Sequence, residues 1–295
     1  MTHDIFSPGA ASDRSHVVPL RATGAGSPLF CFPGSSGNAD LFQEMVSALP
    51  VGQPVYAIDM GWLGGTSQDL TVEQLAGFYL DAIRNIQRKG PYYFCGYSLG
   101  GLVAYEIAVR LIDEGDEANL VSLLDAPNPT LMSNLSKTDS AQFHKTYLIG
   151  RVRKYYLRLV RGDIKSFTRN ALSFIVWRLR VLFIPMIRFG FRIAKKPLPR
   201  NFGINDVRFL DTWRSYIPKS YAKDLVFFRA QDRGPEYDRY PTMGWDAYAR
   251  GGVQVHIVPG GHLDMMKTPS VHFIAEKMAA YLDYGSGDGE SAETF

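Results

Sequence analysis

Ser98 stands in Gly96-Tyr97-Ser98-Leu99-Gly100, directly behind the apolar run Tyr92–Cys95 and directly before an amphipathic stretch that begins at Gly101. A serine at the apex of a sharp strand-to-helix turn is a nucleophile elbow, which lifts the hydroxyl above a sheet toward a substrate. Glycines flank it because so tight a turn leaves no room for a side chain. The first amides of the following helix then face any negative charge that forms beside the serine. The five-residue spacing recurs by chance; the strand before it and the helix after it give it meaning.

A serine hydroxyl attacks a carbonyl only when a base takes its proton, and that base needs an acid to hold its tautomer. Of six histidines, His262 is the candidate base. It follows the run Val253–Val258 in the turn-rich Pro259-Gly260-Gly261-His262, where a loop can aim an imidazole back across a sheet edge. His3 and His16 lie before or at the first core strand, His144 lies near lysines, His256 points into a sheet face and His272 sits in the last helix. Two aspartates qualify as the acid, and either gives the chain order Ser…Asp…His. Asp125 emerges at the end of Leu120–Leu124, the strand expected beside that of the serine. Asp232 follows Leu225–Arg229 in a charged loop where the adjacent Arg233 offers a surface ion pair instead. Asp125 is favoured, with Asp232 the runner-up. Acyl transfer also needs donors for an oxyanion: the N–H of Leu99, and that of Ser35 or Ser36 in the loop Pro33–Gly37.

Seven short apolar runs must position these groups: His16–Arg21, Pro28–Phe32, Val55–Asp59, Tyr92–Cys95, Leu120–Leu124, Leu225–Arg229 and Val253–Val258. Most are near-continuous in apolar residues, as parallel strands covered on both faces are. Helical patterns lie between and after them at Ala39–Ala48, Thr71–Gln87, Gly101–Glu114 and Pro269–Leu282, with Thr71 and Gln74 spaced as a capping box. The class is therefore α/β, a doubly wound, mostly parallel sheet of about seven strands. From Ala126 to about Asp224 no strand signal occurs. The expected organisation is a flexible N-terminus (1–15), a core of 16–130 and 207–284, an inserted helical lid (131–206) over the carboxyl edge of the sheet, and a disordered tail (285–295).

The formal charge of +3 conceals a strong asymmetry. Residues 131–200 hold 16 Lys and Arg but only two acids, a net +14 that leaves the rest of the chain at −11. An anionic partner for that segment follows. Four arginines between 174 and 193 interrupt its apolar residues before any stretch reaches membrane-spanning length, which leaves contact with a membrane surface open. No nucleic-acid-reading motif accompanies the charge. Two cysteines exclude a disulfide scaffold and a four-cysteine zinc site. The polar N-terminus lacks the apolar core of a signal peptide, so a cytoplasmic protein is expected.

The stretches Leu29–Gly34, Gly96-Tyr97-Ser98-Leu99-Gly100-Gly101-Leu102-Val103-Ala104-Tyr105-Glu106, Leu123–Asp125 and Val255–His262 together resemble the thioesterase domains that release products from non-ribosomal peptide and polyketide synthases, and the fatty-acid synthase thioesterase. The resemblance runs from about residue 28 to 282 apart from the lid. It implies an α/β-hydrolase fold and a triad of Ser98, His262 and Asp125, since the product-releasing class keeps its acid after the strand next to the elbow strand. The free-standing editing class places it nearer Asp232. It also implies an acyl or peptidyl chain delivered as a thioester on the phosphopantetheine of an acidic carrier protein, which the basic lid would meet, with no cofactor bound by the chain itself. Release would pass through an ester on Ser98 and end in hydrolysis or ring closure. With Met1 in front and no recognisable carrier domain ahead, the chain reads as a free-standing relative. A carboxylesterase or lipase acting on small oxygen esters is the nearest alternative, and a non-catalytic carrier-docking module is an alternative of another class.

Overall fold

The computed structural model describes residues 16–60, 70–160 and 212–282, with isolated positions between 183 and 194. The apolar runs form seven strands: β1 (Val17–Arg21), β2 (Leu29–Phe32), β3 (Val55–Ile58), β4 (Tyr92–Tyr97), β5 (Ala118–Leu124), β6 (Leu225–Ala230) and β7 (Val253–Val258). They lie in one sheet in the order β1-β3-β2-β4-β5-β6-β7. Only β1 runs antiparallel to its neighbour; every other pair is parallel.

Alternation along the strands builds two cores. Phe30 and Phe32 of β2 join Tyr92 and Phe94 of β4 on one face, while Leu29 and Cys31 join Tyr93, Cys95 and Tyr97 on the other. Helices α2 (Val72–Arg84) and α3 (Leu99–Asp113) cover the first face; α1 (Gln43–Ala48) and, at the far end of the chain, Ser270–Ala279 cover the second. Thr71 Oγ1 accepts from the Gln74 N–H (3.2 Å) while Gln74 Oε1 accepts from the Thr71 N–H (3.0 Å), so α2 starts on a closed capping box.

The chain passes from β2 to β3 on one side and then returns to place β4 on the other side of β2. That reversal falls at the carboxyl ends of β2 and β4, the place where open α/β sheets bind ligands. The loop after β2 carries Ser35 and Ser36, and the turn after β4 carries Ser98.

After β5 come α4 (Leu131–Asn134) and the long α5 (Lys137–Val160); the C-terminal helix Ser270–Ala279 is α6. The expected flexible N-terminus, the disordered tail, most of the lid beyond Val160 and the side chains of 151–159 lie outside the described residues. Tyr216 Oη donates to Glu106 Oε2 at 3.0 Å, and Arg110 Nε holds the other oxygen of this buried carboxylate at 3.0 Å. The returning segment is thereby tied to the middle of α3. Among the described residues no helix is long and apolar enough to cross a membrane.

Candidate active site

Ser98 has φ 54° and ψ −121°, a conformation that a residue with a side chain adopts only under strain. Its neighbours make the strain tolerable. A Cβ on Gly96 would lie 2.5 Å from the Gly100 carbonyl oxygen and the Gly101 Cα, and one on Gly100 would run into the carbonyl of Phe32. The elbow is pinned by the Ser98 N–H on the Leu124 carbonyl (3.0 Å) and by the Gly101 N–H on the Ser98 carbonyl (3.0 Å). Ser98 is half-buried. Leu99 is the first residue of α3, where an N–H has no acceptor within its own helix.

The loop after β2 leans on this elbow. The Gly37 N–H bonds to the Gly34 carbonyl (2.9 Å), so Ser35 and Ser36 are the two central residues of a turn. A Cβ on Gly34 would come within 3.2 Å of Ser98 Cβ. Ser35 is half-buried and Ser36 is exposed.

Asp125 leaves the end of β5 with φ 48°, its N–H on the Phe228 carbonyl at 2.7 Å. Two indoles fix the next two residues: Trp245 Nε1 donates to the Ala126 carbonyl (2.6 Å) and Trp213 Nε1 to that of Pro127 (3.2 Å). The Asp125 carboxylate is fully buried, so each of its oxygens needs a donor. The Ala230 N–H reaches Oδ1 at 3.1 Å, while His262 Nδ1 at 2.6 Å and Arg233 Nε at 2.7 Å converge on Oδ2. Burial by itself would push this carboxyl up. The hydrogen bond from His262, the charge of Arg233 and the Ala230 amide outweigh burial and hold it below its ordinary value. An ionised carboxylate only accepts, so Nδ1 of His262 is the donor, and in the neutral imidazole that tautomer leaves the lone pair on Nε2.

Tyr97 braces the same imidazole. Its ring stacks on that of His262, with centroids 4.8 Å apart and planes 17° apart, and its hydroxyl donates to the His262 carbonyl at 2.7 Å. Burial, with Asp125 nearby, pushes the Tyr97 phenol up to about 12, so it remains a donor at neutral pH.

The structure thus brings together Asp125 and His262, with Ser98 on the adjacent elbow. Asp232 is exposed, with its N–H on the Gly260 carbonyl (3.0 Å); the carboxylate on His262 is that of Asp125. The sequence offered Arg233 as a surface partner for Asp232. It turns inward to Asp125 instead, because a buried carboxylate offers a far better acceptor than an exposed neighbour. His256 lies beside Tyr281 Oη (3.0 Å), and His144 Nδ1 bonds within α5 to the Ser140 carbonyl (2.8 Å). Two members of the site escaped sequence reasoning. Tyr97 could have been noticed as the residue ahead of the serine. Arg233 carries no local signal that separates it from any loop arginine.

The model of the family described as "Thioesterase domain" matches residues 27–174. Curated relatives include malpibaldin synthetase of Mortierella alpina, 27% identical over 93% of this chain and 4% of its own length. An atromentin synthetase of Paxillus involutus is 27% identical over 85% of this chain and 26% of its own. A dimodular nonribosomal peptide synthase of Bacillus subtilis is 25% identical over 90% of this chain and 11% of its own. The chain spans about a quarter or less of the length of these relatives. Among solved structures, the NocB thioesterase domain in covalent complex with a fluorophosphonate nocardicin G analog aligns with a TM-score of 0.60 at 19% identity, over 90% of this chain and 99% of that one. The Vlm2 thioesterase domain bound with a dodecadepsipeptide gives 0.60 at 21% identity, over 91% and 99%. These likenesses show the α/β-hydrolase fold.

Proposed function

Because the chain belongs to the thioesterase domain family, we propose that it releases an acyl, polyketide or peptidyl chain from the phosphopantetheine of a carrier protein through an ester on Ser98. The observation that carries this reading is the 2.6 Å bond between His262 Nδ1 and the buried Asp125, beside a serine at φ 54°. His262 Nε2 takes the hydroxyl proton as Ser98 Oγ attacks the thioester carbonyl, and the proton then passes to the departing pantetheine thiolate. Asp125 steadies the imidazolium between the two transfers. The N–H groups of Leu99 and of Ser35 or Ser36 hold the oxyanion. Water, or a hydroxyl or amine of the chain itself, then attacks the ester on Ser98.

The carrier is an acidic protein of the cytoplasm that docks against the basic segment, whose net +14 over residues 131–200 supports this. The expected outcome is that a fluorophosphonate probe labels the protein and that Ser98→Ala abolishes the labelling. Turnover of octanoyl-N-acetylcysteamine is expected to exceed that of p-nitrophenyl octanoate when both are normalised to their uncatalysed rates. Labelling that survives Ser98→Ala overturns the reading, and faster relative turnover of the oxygen ester points to an esterase. Mass spectrometry of products from carrier-bound chains separates hydrolysis from ring closure.

A further inference from the structure

The guanidinium of Arg233 lies between the Asp125–His262 pair and the helix α5. On one side Arg233 Nε donates to Asp125 Oδ2 at 2.7 Å and Nη2 to the Asp125 carbonyl oxygen at 3.2 Å. This fork grips both the side chain and the backbone of one residue, which a single donor cannot do. On the other side the guanidinium lies 5.7 Å from the centroid of the Tyr237 ring. Tyr237 in turn meets Phe143 of α5 edge-on, with centroids 5.2 Å apart and planes at 90°. Close backbone packing holds the same contact, since a Cβ on Gly150 would lie 2.9 Å from the ring of Pro235.

We propose that Arg233 is a positioning residue for the Asp125–His262 pair, and that α5 holds it in place through Phe143 and Tyr237. The proposal rests on the reading of Ser98, His262 and Asp125 as the triad. Arg233 acts through Asp125 and not through the ring. With Nδ1 of His262 already donating to Oδ2, the 3.3 Å approach of Arg233 Nη2 to Nδ1 sets one donor against another and forms no bond. Its role is to stop the carboxylate from turning. A buried carboxylate with only the Ala230 amide on Oδ1 and His262 on Oδ2 has lost one of the three donors that fix its plane, and the imidazole follows that plane. Displacing α5 from the turn Pro235–Arg239 releases Tyr237, then Arg233, then Asp125. The fit of the helix over the site is thereby read at the histidine.

The test uses the whole chain, octanoyl-N-acetylcysteamine and a fluorophosphonate. Arg233→Met lowers kcat and the labelling rate by about ten- to hundredfold, the loss of a charge-assisted hydrogen bond, with KM little changed. Arg233→Lys keeps the charge but not the fork and recovers only part of the rate. Phe143→Ala, two side chains removed from Asp125, lowers kcat in the same sense but by less. The downfield proton resonance of the His262 Nδ1–H shifts or broadens in Arg233→Met and in Phe143→Ala, which a general loss of stability does not produce while the protein stays folded. Should Arg233→Met fail to fold, Arg233→Lys and Phe143→Ala decide. Unchanged kcat and an unmoved resonance in the folded variants overturn the proposal while Ser98→Ala still abolishes labelling. Labelling that persists in Ser98→Ala overturns the triad reading itself.

Discussion

Tyr97 holds His262 at two points, by a 2.7 Å hydrogen bond from its hydroxyl to the histidine carbonyl and by a ring stack at 4.8 Å, across 165 residues of sequence. Tyr97 is also the residue that precedes Ser98. The strand that delivers the serine therefore also delivers the surface on which the histidine rests, so one element positions both groups. A mobile His262 loop would need to be fixed from elsewhere; here β4 supplies the fixation.

Tyr97→Phe keeps the stack and removes one hydrogen bond, worth about 0.5–1.5 kcal/mol. The expected result is a kcat reduced by about two- to tenfold with KM unchanged. Tyr97→Ala also removes a large buried ring and costs about 3–5 kcal/mol of stability, read from urea denaturation. A Tyr97→Phe enzyme with full kcat would show that the hydroxyl bond does not position the base.

The elbow depends on close backbone approach, which two glycines test in opposite directions. Gly100→Ala drives a methyl group into the Phe32 and Pro33 carbonyls, backbone atoms that cannot give way. It destabilises by about 2–4 kcal/mol or prevents folding, a cost in the range of severe overpacking. Gly52→Ala, where nothing lies within 4 Å of the added group, changes stability by less than about 1 kcal/mol. Both are compared by urea midpoint. Equal effects would mean that the crowding at Gly100 relaxes more freely than its contacts indicate.

Sequence made the sheet legible because burial on both faces forces near-continuous apolar runs in the central strands; the edge strands β1 and β7, only partly buried, also fall on the expected runs. The helix caps were legible for the same local reason, as Thr71 and Gln74 show. Long-range partners were legible only in part. Asp125 and Asp232 both follow apolar strands and both precede His262 in the chain, so order alone could not choose between them. Its place at the end of the strand beside the elbow strand favours Asp125 in sequence, and the 2.6 Å contact with His262 across 137 residues, which no local pattern encodes, agrees with that choice. Arg233 illustrates the limit more sharply, because its neighbour Asp232 suggested an ion pair in sequence whereas its real partner is 108 residues away. The first strand, antiparallel to β3, fits a mostly parallel sheet, but which strand runs against the others was not legible, because a five-residue strand at the sheet edge carries no signal of direction.

The identity of the acid gives a clean kinetic contrast. Asp125→Asn leaves the shape intact but removes the acceptor that fixes the His262 tautomer, and lowers kcat by about 10³–10⁴-fold. Asp232→Asn changes an exposed loop side chain and leaves kcat within about twofold, as surface substitutions do. Single-turnover acylation of Ser98 measures both. A large loss in Asp232→Asn with little in Asp125→Asn would reverse the assignment.

The Asp125 carboxyl also makes stability depend on pH in a direction that its surroundings set. Burial works to raise it, but the His262 hydrogen bond, the Arg233 charge and the Ala230 amide prevail and hold it below its ordinary value. In the unfolded chain the same group titrates near about 3.9. As pH falls the unfolded state therefore takes up the proton first, and the native state loses relative stability. The contribution of Asp125 is complete above about pH 5 and declines as pH drops through the unfolded value toward the native one. Urea denaturation of the wild type and Asp125→Asn from pH 7 down to about pH 3 tests this. The other carboxylates titrate in both proteins and cancel in the difference unless they touch the site. The stability difference between the two proteins is expected to shrink as pH falls from about 5 to about 3. A difference that stays flat to about pH 3, or grows on acidification, would mean that Asp125 gains nothing from its three donors in the folded state.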